Sequence, residues 1–297
     1  MLYLYSEEMN KGRESMVEIS LKSSDLLYLS ASINEVSSAY ATIIIVPGLN
    51  EYKERYSEMI DYFVNNKFNI IIYDPRGQGK SINNENTLGF ISDAQKLIDD
   101  FKNVVKYTES RFPNTPIYVV ADSLGTLPVI NYLPDNTSIK KIVLTSPLFQ
   151  KDIEGNLKMA KFMLNFMGKN KENSYFQNLL GFGAKSVVVN DINEKEKIKN
   201  DANCFYNYKN KSVYEILRLE ENIKKIKFNN NIKIAIATGA LDTKLSGKEN
   251  ITELVTVLNK NGLTNIGYFD YPNMGHKILF DNGKKLVWQD ILAFFQN

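Results

Sequence analysis

One histidine, one cysteine and one tryptophan occur in this chain of 297 residues. A single cysteine, Cys204, excludes an internal disulfide. One Cys and one His, His276, fall short of the nitrogen and sulfur ligands that a structural zinc site needs. No metal and no cofactor is expected. Charge of one sign is also scarce: Lys and Arg number 36 against 34 Asp and Glu, and the two signs are mixed along the chain. A net +2 leaves no electrostatic footprint for nucleic acid. No apolar run is long enough to span a membrane, and MLYLYSEEMNKGRES is acidic early, without the long apolar region of a secretory signal. A cytoplasmic location is the expectation. Nothing in the sequence sets the oligomeric state, and it holds no internal repeat, heptad pattern or low-complexity tail.

What is present is a core-forming pattern. With 43% hydrophobic residues, the chain can bury one large core, or one core with a sizeable insertion. Val17 to Lys22 and Leu26 to Ser32 alternate as an antiparallel edge ribbon would. Thr42 to Val46 is a continuous β-branched run, as expected of a strand buried on both faces of a parallel sheet. Asn69 to Asp74, Pro116 to Ala121 and Lys141 to Ser146 repeat that character. Helical patterns at Tyr52 to Asn66, Asp93 to Arg111 and Leu124 to Tyr132 separate these runs, which predicts right-handed crossovers and a doubly wound, mostly parallel sheet.

From Leu148 to Phe228 the alternation stops. Leu157 to Met167 reads as an amphipathic helix rich in Met and Phe. Polar and Gly-containing segments follow, including Glu194 to Cys204, and then a helix near Ser212 to Ile226. The strand–helix pattern resumes at Ile232 to Thr238, continues through Ile251 to Asn259, and closes with Asn265 to Asp270 and Gly283 to Phe295. The expected organisation is a core of residues 1–147 and 229–297 with a helical cap, 148–228, inserted late.

Open α/β sheets place ligands outside the carboxyl ends of their strands. Ser123 lies there, in Ala121-Asp-Ser-Leu-Gly125 between a strand and a helix. A serine on a sharp strand-to-helix turn needs small neighbours two residues away on either side. The usual motif is G-x-S-x-G, and here Ala121 stands in the first glycine position. Asp122 as nucleophile fails on spacing, because Val120 and Leu124 would flank it. Asp122 is expected as a solvated turn residue, or as a charge beside the nucleophile that the histidine feels.

Ser123 is inert until a base removes its proton, and His276 is the one histidine available. Asp242, in Gly239-Ala-Leu-Asp242 after a strand, would orient the imidazole and stabilise its protonated form. Asp152 and Asp270 also lie near strand ends and are alternatives for the acid. Acyl transfer further needs backbone N–H groups aimed at the developing oxyanion. Leu124 directly after Ser123, and Leu49 in Pro47-Gly48-Leu49-Asn50-Glu51, are the expected donors. Asp74-Pro-Arg-Gly-Gln-Gly-Lys-Ser81 ends in G-K-S, but a phosphate loop requires Gly at position 74 and a helix after Ser81. The segment is read as a tight structural turn.

These residues resemble the serine-hydrolase branch of the α/β-hydrolase fold, and more narrowly the monoacylglycerol lipase and lysophospholipase group, which is related to the serine aminopeptidases. The resemblance runs from about Ala41 onward. V-P-G-L-N-E-Y-K-E-R-Y is similar to the family's H-G-x-x-E-H-x-x-R-Y, with Gly48, Glu51, Arg55 and Tyr56 matching and Pro47 and Tyr52 in place of its histidines. Y-D-P-R-G-Q-G-K-S, the turn at Ser123, the pair Gly239 and Asp242, and His276 match in order.

The resemblance implies hydrolysis of carboxylic esters of monoacyl lipids through an acyl-enzyme, with no cofactor, and a cap that shapes the acyl pocket. Met159, Phe162, Met163 and Phe166 would then line it with adaptable apolar surface. Lys151 to Lys227 carries 15 Lys and Arg against 10 Asp and Glu, which is compatible with transient contact with an anionic lipid surface. Two other readings stay open. One is a peptidase or amidase on the same fold, with an acidic or aromatic amine site in the cap. The other is a binding protein that kept the scaffold without catalysis.

Overall fold

The computed structural model describes residues 16–181, 189–204, 206–229, 232–243 and 245–297. The N-terminal stretch MLYLYSEEMNKGRES lies outside them. Among the described residues, eight strands form one sheet in the order β1-β2-β4-β3-β5-β6-β7-β8. β1 (Met16–Lys22) and β2 (Tyr28–Asn34) form the expected antiparallel ribbon. β2 meets β4 (Phe68–Tyr73) antiparallel as well. β3 (Ala41–Val46), β5 (Ile117–Asp122), β6 (Ile139–Thr145), β7 (Lys233–Gly239) and β8 (Ile266–Tyr271) continue the sheet in parallel register. This is the doubly wound, mostly parallel sheet of the α/β-hydrolase fold.

The β-branched runs sit centrally because both of their faces are covered. Successive side chains on a strand point to opposite faces. Ile43, Ile45, Ile70, Ile72 and Val120 pack on one face against Met59, Ile60 and Phe63 of α1 (Ser57–Asn65) and Val287, Trp288, Ile291 and Phe295 of α9 (Lys284–Gln296). Ile44, Val46, Ile71 and Val119 pack on the other face with α2 (Ala94–Arg111), α3 (Thr126–Tyr132) and α8 (Lys248–Lys260). Every residue of β3 and β4 is buried.

The late segment carries α4 (Ile153–Met167), α5 (Ser174–Leu180), α6 (Ile192–Asn200) and α7 (Asn210–Asn222), with no strand among its described residues. α4 extends one turn upstream of the predicted helix because Asp152 caps it, accepting the Gly155 amide. α5 and α6 fall where polar segments were expected. Both are short, and side-chain caps at Asn173 and Asp191 start them. The segment shares the core of the sheet face: Leu148, Phe149, Ile153, Ala160, Phe176, Val213, Ile216 and Leu217 all join it. Val189, Ile198 and Cys204 instead gather against Tyr52. No helix among the described residues is long and apolar enough to cross a membrane.

Asp74 to Ser81 is a turn held by its own side chains. The buried Asp74 carboxylate accepts the Lys53 amide at 2.7 Å and the Lys80 amide at 2.8 Å. Arg76, wholly buried, donates to Asp100 at 2.7 and 2.9 Å and to Asp25 at 3.0 Å. No helix follows Ser81.

Candidate active site

The strand order sets the place. From β3 the chain crosses to β4 on one side, then returns to β5 on the other. The loops leaving β3 and β5 therefore diverge and leave a crevice between them. Pro47 to Glu51 leaves β3 and Ser123 leaves β5, so the nucleophile candidate and the candidate oxyanion loop face the same gap.

Ser123 has φ +48°, in the left-handed region that non-glycine residues enter only under constraint. The turn is tight enough that a Cβ on Gly125 would lie 2.4 Å from the Val46 carbonyl oxygen. At the other small position, the Ala121 methyl is accommodated with no exposure, between Val46 on β3 and Leu144 on β6. The departure from Gly at that position therefore leaves the turn intact.

The three distant side chains converge. Ser123 Oγ lies 2.7 Å from His276 Nε2, and His276 Nδ1 lies 2.5 Å from Asp242 Oδ2. All three are under 10% exposed. With Asp242 ionised, Nδ1 carries the proton and donates it to the carboxylate, so Nε2 is the free acceptor for the serine hydroxyl. Asp242 also accepts the Leu245 amide at 3.1 Å and the Ser246 amide at 2.9 Å. Burial alone would raise its pKa, but the imidazole and the two amides outweigh burial and hold it at about 2. The carboxylate stays charged wherever the imidazole works. Of the alternative acids, Asp152 caps α4 and Asp270 lies exposed on edge strand β8, and neither is a partner of His276.

The loop that carries His276 is fixed at both ends. Asp281, 1% exposed, accepts the Gly275 amide at 2.7 Å beside the histidine. Its other oxygen accepts the Asn190 and Asp191 amides, both at 2.8 Å, from the start of α6. Lys277 contacts the fully buried Glu51 and donates to the Leu49 carbonyl at 3.3 Å. Glu51 also receives Arg55, whose other arm reaches Glu194 of α6 at 2.5 Å. Tyr52 donates to Asp201 at 2.6 Å, and Asn50 to the Tyr206 carbonyl at 2.8 Å. Residues 190–204 and 206–208 are thus tied to both loops that flank Ser123. Asp281 and Lys277 escaped the sequence reading; their one signal is closeness to His276.

The Leu49 N–H has no acceptor among the described residues. Leu124 lies in the first turn of a 3-10 helix, where N–H groups lack intrahelical partners. Both are therefore available as donors at the crevice. Of the two readings of Asp122, the solvated one is corrected, because it is 2% exposed; it lies beside the nucleophile, within electrostatic reach of His276. Thr145 Oγ1 donates to it at 2.8 Å and Tyr56 at 3.0 Å.

Met159, Phe162, Met163 and Phe166 do not share one environment. Met163 is half-buried against the core, while Met159, Phe162 and Phe166 are 47%, 53% and 76% exposed. The Phe162 and Phe166 rings touch each other, with centroids 4.4 Å apart.

Comparison with known proteins bears on the family and the fold. The family model described as serine aminopeptidase, S33, matches residues 37–283. The chain is 24% identical over 280 residues to the probable lysophospholipase L2 of Haemophilus influenzae, covering 88% of this chain and 86% of that protein. It is 23% identical over 259 residues to phospholipase YtpA of Bacillus subtilis, covering 86% and 94%. Among solved structures, a thermostable carboxyl esterase from Bacillus coagulans superposes with a TM-score of 0.81 at 18% identity, covering 95% of this chain and 98% of the other. A monoglyceride lipase from Saccharomyces cerevisiae superposes with a TM-score of 0.76 at 14% identity, covering 97% and 96%.

Proposed function

Since the chain belongs to the serine aminopeptidase (S33) family, we propose that it hydrolyses carboxylic esters of monoacyl lipids through an acyl-enzyme formed on Ser123. The observation that carries this reading is the relay of contacts at 2.7 and 2.5 Å from Ser123 through His276 to Asp242. The lysophospholipase and phospholipase relatives support the substrate class.

Ser123 Oγ attacks the ester carbonyl as its proton passes to His276 Nε2. Asp242 stabilises the imidazolium that results. Negative charge gathers on the carbonyl oxygen, opposite the Leu49 and Leu124 amides. The C–O bond to the alcohol then breaks, and Nε2 returns its proton to the departing oxygen. A water molecule, deprotonated by the same nitrogen, attacks the acyl-serine; the bond from the acyl carbon to Oγ breaks, Nε2 returns the proton to Ser123 Oγ, and the fatty acid leaves. Leu148 to Phe228 acts as the cap that shapes the acyl site, and its apolar α4 face supplies chain contacts.

Ester cleavage fits better than aminopeptidase action. An amine site of the acidic kind needs a free carboxylate near the crevice. Glu194 and Asp201, which the cap brings to the loop after β3, are already engaged by Arg55 and Tyr52.

A fluorophosphonate probe should label Ser123, and Ser123→Ala should abolish labelling. That variant should also lower turnover of a monoacylglycerol at least about 10³-fold. Turnover that survives in Ser123→Ala would remove the proposal. Faster cleavage of aminoacyl amides than of monoacylglycerols would redirect it to the amidase reading.

A further inference from the structure

Behind Ser123 lies a buried hydrogen-bond chain that the relay does not use. The Gly48 amide donates to Tyr56 Oη at 3.2 Å, and the Tyr56 hydroxyl donates to Asp122 Oδ2 at 3.0 Å. With Asp122 ionised, the direction of the chain follows from its ends. A backbone N–H can only donate, so the phenol oxygen accepts there, and its single proton is left for the carboxylate. Thr145 Oγ1 closes the other side of the carboxylate at 2.8 Å. Tyr56 is 1% exposed and Asp122 2%. Burial, and then the charges of Asp122 and Glu51, push the Tyr56 phenol far up, so it keeps its proton across any working pH.

This chain joins the loop after β3 to the turn after β5. Gly48 comes so close to the turn that a Cβ there would lie 2.9 Å from both Asp122 Oδ2 and Ser123 Cβ. The Tyr56 ring also meets Phe280, from the loop after His276, edge-on with centroids 5.0 Å apart. One side chain therefore touches three of the four segments that carry the site, all but the loop of Asp242.

Two consecutive amides of the loop, Gly48 and Leu49, could point into the crevice. Tyr56 takes up the first, and the second has no acceptor among the described residues. We infer that Tyr56, anchored on Asp122, is a positioning residue that selects the Leu49 N–H as the loop's oxyanion donor and holds it at the distance the tetrahedral intermediate requires. The inference rests on the Ser123 acyl-enzyme proposed above. It gives Asp122 a role distinct from that of Asp242: it holds the anion site, whereas Asp242 holds the base.

The test uses the full chain and a short p-nitrophenyl ester. Tyr56→Phe keeps the ring against Phe280 and removes only the hydroxyl. It should lower kcat about 10- to 100-fold, within or below the loss seen when an oxyanion donor is removed outright. KM should change less than about twofold, and phenylboronic acid, which forms a tetrahedral adduct at the serine, should bind weaker by a factor similar to the loss in kcat. Asp122→Asn, which keeps an oxygen to accept the phenol proton, should lose less than Asp122→Ala.

Unchanged kcat in Tyr56→Phe overturns the inference. So does a loss that appears in KM and melting temperature but not in boronate affinity, or an Asp122→Asn as impaired as Asp122→Ala. Ser123→Ala, run alongside, separates the two claims. If it stays active the acyl-enzyme itself is wrong; if it is dead while Tyr56→Phe is fully active, only the positioning role fails.

Discussion

The crevice rim and the helical insertion each bury a carboxylate, and the two carboxylates behave in opposite ways. Asp242, at the end of β7, receives an imidazole and two backbone amides, which more than offset its burial and hold its pKa at about 2. Glu220, on α7 of the insertion, is wholly buried too, but its partners are the backbone and side-chain amides of Gln150, with no cation in contact among the described residues. Burial dominates there and pushes its pKa up to about 8. Asp242 is held charged, whereas the insertion holds a carboxyl group that is neutral over most of the working range. The same contrast appears in the backbone. The rim has Ser123, Ser146 and Asn50 at positive φ, and the insertion has exposed Phe and Met side chains on ordinary helix. Strain and charge lie where chemistry is proposed, and loosely held apolar surface lies where a chain would be received.

The sharpest way to break that comparison is Asp242→Asn. It keeps the shape but reverses the hydrogen bond to Nδ1, favouring the tautomer that cannot take the serine proton. Turnover of a p-nitrophenyl ester should fall about 10³- to 10⁴-fold with the fold intact by circular dichroism. A loss under tenfold would mean that the rim's charge does not support the base.

The rim was largely legible in the sequence, for physical reasons. Runs such as Thr42 to Val46 are buried on both faces and announce themselves as parallel strands, and Ser123 and Asp242 follow such strands, whereas His276 follows the largely exposed edge strand β8. Their small neighbours, Ala121 and Gly125, are needed wherever backbones approach closely. The partners behind them were not legible. Asp122 looked like a solvated turn residue because its burial depends on Thr145 and Tyr56, which come from other elements. No periodicity encodes that choice, although Tyr56 lies in the stretch that resembles the family pattern. In the insertion, α5 and α6 were missed because they are short and start from single caps at Asn173 and Asp191. The apolar stripe of α4 predicted a helix correctly, but it could not say that Phe162 and Phe166 remain exposed.

Glu220→Gln tests the other half of the comparison. A carboxyl whose pKa is about 8 in the folded chain and near its ordinary 4.5 when unfolded contributes stability that is fully present below 4.5. That contribution is lost as pH rises through 8, because the unfolded chain releases the proton first. Between pH 5 and 8 the unmodified protein should therefore lose up to about 1.4 kcal/mol of stability per pH unit from this group. Glutamine keeps an oxygen for the Gln150 amide and has no proton to release, so the slope in urea unfolding should flatten over that window. An unaltered slope would mean that Glu220 is charged in the fold and that the two carboxylates do not differ as described.

The smallest effect should come from the insertion's outer face, where its meaning is most specific. Phe162 and Phe166 touch each other and are more than half exposed, so removing them should cost the fold little. The double substitution Phe162→Ser, Phe166→Ser should leave the melting temperature within about 2 °C, as expected for exposed positions. If the α4 face receives the acyl chain, each methylene that loses an apolar contact weakens binding by up to about 0.8 kcal/mol. The ratio of kcat/KM for a long-chain over a short-chain monoacylglycerol should then drop about tenfold, equivalent to about 1.4 kcal/mol. Using the ratio cancels any general loss at the rim, so the measurement isolates the insertion. A preserved ratio would detach α4 from the acyl site, and a fall of several degrees in melting temperature would show that this face packs against the fold instead of waiting for a chain.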